Sequence, residues 1–543
     1  ALVSDEPKRH QGVTRVAGLT IDHRDDLIVI EEALRDTKGT TVLIYEQTCA
    51  AEKRRRRKKG LMEDPNVRVL INPAVCEGCG DCGVQSNCLS VIPSETELGR
   101  KRQIDQSACN KDYSCVKGFC PSFVTVTGGT LKKRRAAEDD SSWQALPEPV
   151  VADITKQPWN IVVTGVGGTG VLTIAAVVAM AAHIEGKGCA TMNQTGLAQK
   201  FGAVVSHVRV GESQSAINAV RIPAGDADLL LGCDLIVAAG DEAIAKVNVQ
   251  RSYAVVNDFS STTAEFISDP DAQIPSDSMK ALIESEVGEG KVSFIEATHL
   301  ATGLLGDSIA SNMFLLGFAM QRGLVPVSRE ALEAAIRLNG VSVDFNLKAL
   351  MWGRRAALKL EPVEVAAGKR QVFEPLTDLD DIVADRMKRL TDYQSSAYAA
   401  EYEQVIDEIR TAEQAISEDT DLAYTKAAAR SLFKLMAYKD EYEVARLYSN
   451  GDFKQYLQQT FEGTVALNFH LAPPVLSPRD PTTGAPRKRR FPELTAYLFR
   501  LLAPFKCLRG TRLDPFGMTQ ERIEERQTLK NYRALFLKLA SEL

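Results

Sequence analysis

Seven of the eleven cysteines in this 543-residue chain lie between positions 76 and 120, and the first three read Cys76-x2-Cys79-x2-Cys82. Two-residue gaps turn the backbone tightly enough to aim three thiolates at one small inorganic body, as an iron–sulfur cubane requires. Cys88, Cys109, Cys115 and Cys120 follow, and Pro121 stands directly after the last. A cysteine closed by proline is how ferredoxin-type motifs end, with the fourth ligand lent from a distant stretch. Gly78, Gly80 and Gly83 flank the first thiols and let backbone N–H groups approach the sulfurs. Zinc is the competing occupant. Its habit is paired Cys-x2-Cys motifs or added histidines, and no histidine lies between positions 24 and 182. The expected chemistry is therefore one-electron transfer through a [4Fe–4S] cluster.

Seven thiols leave the ligand assignment open. Cys76, Cys79, Cys82 and Cys120 make one cubane by ferredoxin logic. Cys88, Cys109 and Cys115 then serve a second cluster with an oxygen ligand or water, a three-iron [3Fe–4S] cluster, or no metal. Alternatively Cys88 closes the first cluster, and Cys109-x5-Cys115-x4-Cys120 forms a separate site.

A second candidate site follows the apolar run Asn160–Thr164, which leads into Gly165-Val-Gly167-Gly168-Thr169-Gly170 and then a helical stretch. Strand, glycine turn and helix in this order match the dinucleotide fingerprint, with free N–H groups at the helix start offered to an anion. A nicotinamide cofactor also wants a carboxylate about 20 residues on. The next strand, Cys189–Met192, ends in Asn193-Gln194-Thr195, without a carboxylate or an arginine. A phosphate-bearing ligand of another kind is the better expectation, met by Gly165, Gly167, Gly168, Thr169, Gly170, Asn193, Thr195 and Gly196. The plainer alternative is glycines kept for helix–strand packing. His207, on the strand that follows, reads as a structural histidine.

These sites need positioning elements, and the pattern supplies several domains. Residues 1–60 hold a short α/β piece, with a helix from Leu27 to Leu34 and a buried-type strand from Thr40 to Tyr45. Residues 61–130 form the cysteine module and 131–157 a polar linker. Residues 158–358 alternate strands and helices as a parallel-sheet α/β domain does. Residues 359–543 turn helical, and the ALFLKLASEL end suggests a truncated chain. The fold class is α/β plus α+β: a ferredoxin-like module, a Rossmann-like domain and a helical C-terminal domain. Hydrophobic content is 44% and net charge −6, and no apolar run is long enough to span a bilayer. A membrane span and a nucleic-acid partner are therefore not expected. The basic runs 53–59, 132–135 and 487–490 read as solvated or interface-facing, the first able to steer an acidic redox partner. Scattered remaining thiols suit a reducing cytoplasm.

The chain resembles the long, fused indolepyruvate-type members of the 2-oxoacid:ferredoxin oxidoreductase superfamily. The resemblance rests on Val75-Cys-Glu-Gly-Cys-Gly-Asp-Cys82, Asp112-Tyr-Ser-Cys-Val-Lys-Gly-Phe-Cys-Pro121, Gly165-Val-Gly-Gly-Thr-Gly170 and the loop and strand Gly196–Arg209. Asn339–Asn346 with Trp352–Arg355 looks like the end of the family's gamma-type domain, and Tyr45–Arg57 like the tail of its thiamine domain. LFKLMAYKDEYEVARLY and FHLAPP look like the final region of the fused chains. The resemblance implies oxidative decarboxylation of an arylpyruvate on thiamine diphosphate with Mg2+, acyl transfer to coenzyme A, and ferredoxin as electron acceptor. It also implies a homo-oligomer. The thiamine fingerprint Gly-Asp-Gly is absent, so that portion is expected upstream in a longer chain or on another subunit. Two other readings are an iron–sulfur NAD(P)-linked reductase and a non-enzymatic iron–sulfur scaffold.

Overall fold

The computed structural model describes residues 1–10, 12, 17–132, 146–195, 202–259, 263, 265–368, 373–416, 421–463, 465–473, 477 and 487–542. It divides into two units, Ala1–Arg68 with Cys109–Tyr113, and Val69–Ala108 with Ser114–Leu543.

The first unit carries a parallel three-stranded sheet in the order β2-β1-β3, formed by β1 (Leu2–Ser4), β2 (Ile21–His23) and β3 (Ile44–Glu46). The expected helix is present as Leu27–Asp36. The strand expected to be buried at Thr40–Tyr45 is short and exposed instead, with Val42, Ile44 and Tyr45 facing outward. Most of the first basic run lies on the helix Ala50–Lys58. Several of its charges are spent inside the unit: Lys53 pairs with Asp5, Glu52 holds Arg55 and Arg56, and Arg57 donates to the Asn110 carbonyl at 2.8 Å.

In the second unit the cysteine module contributes β4 (Val67–Ile71), the antiparallel hairpin β5 (Val91–Ser94) and β6 (Lys101–Ile104), then β7 (Phe123–Thr127) and β8 (Thr130–Leu131). The α/β portion follows with β9 (Trp159–Val166), β10 (Gly188–Thr195), β11 (Ala203–Gly211), β12 (Leu229–Gly232), β13 (Tyr253–Asn257) and β14 (Val292–Ile295), in the sheet order β10-β11-β9-β12-β13-β14. Period-two alternation makes the sheet two-faced. Ile161 and Val163 face the helices Val171–Ile184, Ala297–Leu305 and Ser311–Gln321, while Val162 faces Leu235–Ala238 and Ser276–Val287. The helices Ser311–Gln321 and Val343–Leu358 cross closely through a glycine pair. A Cβ on Gly317 would sit 2.0 Å from the Leu350 carbonyl oxygen, and one on Gly353 1.9 Å from that of Phe314.

The expected parallel sheet is found in β9-β12-β13-β14 only. β11 runs antiparallel to both β9 and β10. The chain folds back after β10, so β11 takes the place beside β9 where a Rossmann second strand would lie. Two boundaries also differ. Val363 and Ala367 belong to the α/β core, which therefore extends past 358. Part of the expected linker is packed down: buried Arg354 donates to the Pro147 carbonyl at 3.0 Å, and Arg329 pairs with Glu148 at 3.1 Å.

The C-terminal region is not purely helical. It supplies β15 (Phe461–Glu462), β16 (Ala466–Leu471) and β17 (Arg489–Pro492). β15 pairs with β8, and the order β17-β16-β7-β4 makes one sheet from both ends of the sequence. One core joins Leu70, Val75, Val124 and Val126 to Val444, Tyr448, Phe453, Phe469 and Phe499. A module of about 70 residues is marginal in the apolar surface it can bury alone, and these C-terminal residues enlarge its core. Among the described residues no helix is long and apolar enough to cross a membrane.

A buried ion pair anchors this region. Arg509 grips Asp440 through Nε at 2.5 Å and Nη2 at 2.8 Å and stacks 3.7 Å from the Tyr393 ring centroid. Asp440 also caps the helix Glu441–Ser449 by accepting the Glu443 N–H at 2.8 Å. Removing one partner strands a buried charge. Arg509→Met is expected to cost about 3–5 kcal/mol of unfolding free energy, measured by urea denaturation. A loss within ~0.5 kcal/mol contradicts this role.

Candidate metal centre

The loop Cys76–Cys82 leads into the short helix Asp81–Ser86 through two left-handed glycines, Gly78 at φ +75° and Gly80 at φ +79°. Neither tolerates a side chain. A Cβ would lie 2.1 Å from the Arg100 carbonyl oxygen at Gly78 and 2.8 Å from Pro270 Cγ at Gly80. The turn aims backbone donors at sulfur: the Gly78 N–H reaches Cys76 Sγ at 3.3 Å.

Four of the seven predicted ligands are brought together. Cys76, Cys82 and Cys120 are buried and Cys79 is exposed. Burial pushes the Cys82 thiol up to about 12, and the negative charge of Cys76, Cys120 and Cys79 adds to the rise. Burial also raises Cys76, opposed by the Gly78 and Arg102 backbone N–H groups, with Cys120 again raising it. Cys79 is raised by burial, opposed by the Asp81 N–H and raised further by Cys120. Cys115 is buried, Cys88 is partly buried, and Cys109 lies in the first unit, its Sγ accepting the Lys111 N–H at 3.4 Å.

Cations surround the four thiols. Lys101 and Arg102 are buried on β6. Burial lowers the affinity of Lys101 for its proton, and nearby Lys439 lowers it further. Lys439 Nζ pairs with Glu77 Oε1 at 2.6 Å, within the ligand loop itself. Burial brings Lys488 down to about 8, opposed by Cys120, Asp81, Cys115 and Cys82. The third basic run was read as solvated or interface-facing; Lys488 within it is turned in to donate to the Val116 carbonyl at 3.1 Å. Glu77 is the carboxylate that Lys101 and Lys439 share, at 3.9 and 2.6 Å, and buried cations are favoured further by any negative charge placed on the neighbouring sulfurs.

Among the described residues no three His, Cys, Asp or Glu side chains converge as ligands of a single ion. A tetrahedral zinc needs every sulfur about 2.3 Å from one point. A cubane offers four iron corners and takes one thiolate at each, so its ligands stand further apart. Four neighbouring thiols, three of them buried, with backbone N–H donors on Cys76 and Cys79 and cations nearby, are the kind of donor set such a group takes.

The glycine turn is built for close packing. Gly165 leaves no room for a Cβ, which would meet Val171 Cγ2 at 2.7 Å and Cys233 Cβ at 2.9 Å. The Gly167 N–H donates to the Gly202 carbonyl at 2.8 Å, and Thr169 Oγ1 donates to that of Val166 at 2.7 Å. Asn312 Nδ2 holds the Thr169 carbonyl at 3.0 Å. Gly168 is exposed, and Gly170 caps the helix Val171–Ile184. Register places Thr195, Val204 and Gly165 in line across β10, β11 and β9, so Thr195 stands two strands, about 10 Å, from the turn. Asn193 and Thr195 are exposed on β10, and Gly196 lies outside the described residues. His207 is buried and structural: the Ile222 N–H donates to Nδ1 at 3.2 Å, which puts its proton on Nε2, 3.1 Å from Gln194 Oε1.

The pyruvate ferredoxin/flavodoxin oxidoreductase family model matches residues 160–356, and a family of unknown function (DUF6537) matches residues 379–543. The indolepyruvate oxidoreductase subunit IorB of Thermococcus kodakarensis is 30% identical over 212 residues, covering 37% of this chain and 97% of that one. The same subunit of Pyrococcus horikoshii is 32% identical over 212 residues, with the same coverage. This chain belongs to the 2-oxoacid:ferredoxin oxidoreductase family. Among solved structures, the gamma subunit of a keto/oxoacid ferredoxin oxidoreductase from Geobacter sulfurreducens PCA is 21% identical, with 37% of this chain and 98% of that chain covered and a TM-score of 0.26. The cysteine stretch of this oxidoreductase family member lies outside both matched regions, yet shares a sheet with the second.

The cations around the thiols were missed in the sequence. Lys439 and Lys488 stand hundreds of residues from the loops they touch, and no local spacing marks them. The raised Cys82 pKa has a direct consequence in metal-free protein. The protonated form is favoured by folding, so this contribution to stability is complete below about pH 8.5 and fades as pH climbs toward 12. At pH 8, iodoacetamide is expected to label exposed Cys507 on the order of a thousandfold faster than Cys82. Mass spectrometry of the labelled peptides gives both rates, and equal rates would contradict the burial argument.

Proposed function

We propose that this chain is the electron-transfer and gamma-type portion of an arylpyruvate (indolepyruvate-type) ferredoxin oxidoreductase, with a [4Fe–4S] cluster on Cys76, Cys79, Cys82 and Cys120. The observation that carries the reading is the gathering of those four thiols, from two distant motifs, among buried cations. Family membership supplies the reaction class, and the names of the curated relatives suggest the substrate.

When bound, the cluster supplies storage of one electron at a time between substrate and ferredoxin. The chain's own residues do the rest. The N–H groups of Gly78, Arg102 and Asp81 favour the thiolate forms of Cys76 and Cys79. Burial of Cys76, Cys82 and Cys120 keeps water from the sulfurs, while exposed Cys79 marks the side open to a partner. Decarboxylation and acyl transfer to coenzyme A need thiamine diphosphate and Mg2+ on a portion upstream or on another subunit, since the Gly-Asp-Gly fingerprint is absent here. The Gly165–Gly170 turn, with exposed Gly168 at a helix start, is read as the place for a phosphate-bearing ligand of the assembled enzyme.

The test is ferredoxin reduction by the chain assembled with its thiamine-diphosphate-binding portion, indolepyruvate and coenzyme A under anaerobic conditions. Cys82→Ser and Cys120→Ser are each expected to lower the rate by at least about 100-fold, with circular dichroism unchanged. Wild-type rates in both variants, or reduction by NAD(P)H without a 2-oxoacid, would overturn the proposal.

A further inference from the structure

The region matched by the family of unknown function, residues 379–543, makes its most specific contacts with the loops that carry the four thiols. Lys439 Nζ donates to the backbone carbonyls of Val75 at 3.3 Å and Cys76 at 3.2 Å while pairing with Glu77. The helix that follows, Glu441–Ser449, brings buried Tyr448, whose hydroxyl donates to the Pro121 carbonyl at 2.8 Å, directly after Cys120. One short stretch thus holds both ligand motifs, the first at Cys76 and the second at Cys120. The capping of that helix by Asp440, itself gripped by Arg509, fixes the stretch. From the other side Lys488 holds the Val116 carbonyl and lies 4.7 Å from the Phe123 ring centroid. Arg386, also buried, clasps the β5–β6 hairpin by donating to Glu97 Oε1 at 2.6 Å and to the Glu97 carbonyl at 3.0 Å. That hairpin carries Lys101 and Arg102.

We infer that the 379–543 region is the second half of the cluster housing, in which Lys439 and Lys488 are positioning residues that set the reduction potential of a cluster on Cys76, Cys79, Cys82 and Cys120. The inference rests on the cluster assignment made above and gives this region a role. The electrostatic sign is direct. Reduction adds one negative charge to the cluster, so a fixed cation nearby stabilises the reduced form and raises the potential. Removing it lowers the potential. The low dielectric of the packed core strengthens the effect over that of a surface charge.

The experiment is an anaerobic redox titration of the full chain, followed by low-temperature electron paramagnetic resonance, with iron and sulfide counted in the same samples. Lys439→Met and Lys488→Met are each expected to keep the signal and shift the reduction equilibrium by about tenfold toward the oxidised form, ~59 mV for one electron. Lys439→Arg and Lys488→Arg are expected to keep the wild-type potential. Lys426→Met, a surface change on the helix Ala423–Met436, is the control expected to leave it unmoved. Where a methionine variant loses iron, retention of iron by the arginine variant supports the inference. Unshifted potentials in iron-loaded methionine variants overturn it, as does equal loss of iron in the methionine and arginine variants, which marks a packing role. A wild-type chain without iron overturns the cluster assignment and this inference together.

Discussion

Burial of sulfur is the constraint on which this part of the structure turns, and on the proposed reading that sulfur carries negative charge. Thiolates are poorly tolerated in a core unless donors and cations meet them. The cysteine loops meet part of that need with backbone N–H groups, made possible at Gly78 by a conformation that excludes any side chain. Lys101 and Arg102 come from the same module. The remaining cations and half of the surrounding core come from the C-terminal region, more than 300 residues away.

The α/β portion obeys a different logic. Its two-faced sheet and the glycine-paired helix crossing account for its core without reference to any ligand. It meets the cysteine module at residues 266–272. Arg102 lies 4.2 Å from the Phe266 ring centroid and donates to the Pro270 carbonyl at 2.9 Å, while Arg100 donates to the Ala272 carbonyl at 2.7 Å. Arg102 therefore touches both the sulfur site, through its backbone N–H, and the α/β portion, through its guanidinium.

Local chemistry was legible in the sequence and long-range chemistry was not. The cysteine cluster was legible because two-residue gaps and a following proline are local signals, while the choice between Cys88 and Cys120 as fourth ligand stayed open, and the glycine turn was legible because strand, turn and helix are contiguous. The reversal of β11 was hidden: period-two alternation shows that a segment is a strand but not its direction. Lys488 was hidden inside a basic run whose neighbours Arg487, Arg489 and Arg490 are exposed. The strands β16 and β17 belong to a sheet whose other members lie in the cysteine module, so neither end alone announces it.

The most direct measurement is metal and acid-labile sulfide analysis of the anaerobically purified chain beside its Cys120→Ser and Cys507→Ser variants, with Mössbauer spectra of the iron-57-enriched protein. The account predicts iron and sulfide in equal amounts, a cubane spectrum in the wild-type chain and in Cys507→Ser, and loss of that spectrum in Cys120→Ser. Stoichiometric zinc without sulfide would contradict it, as would a cubane unaffected by the loss of Cys120.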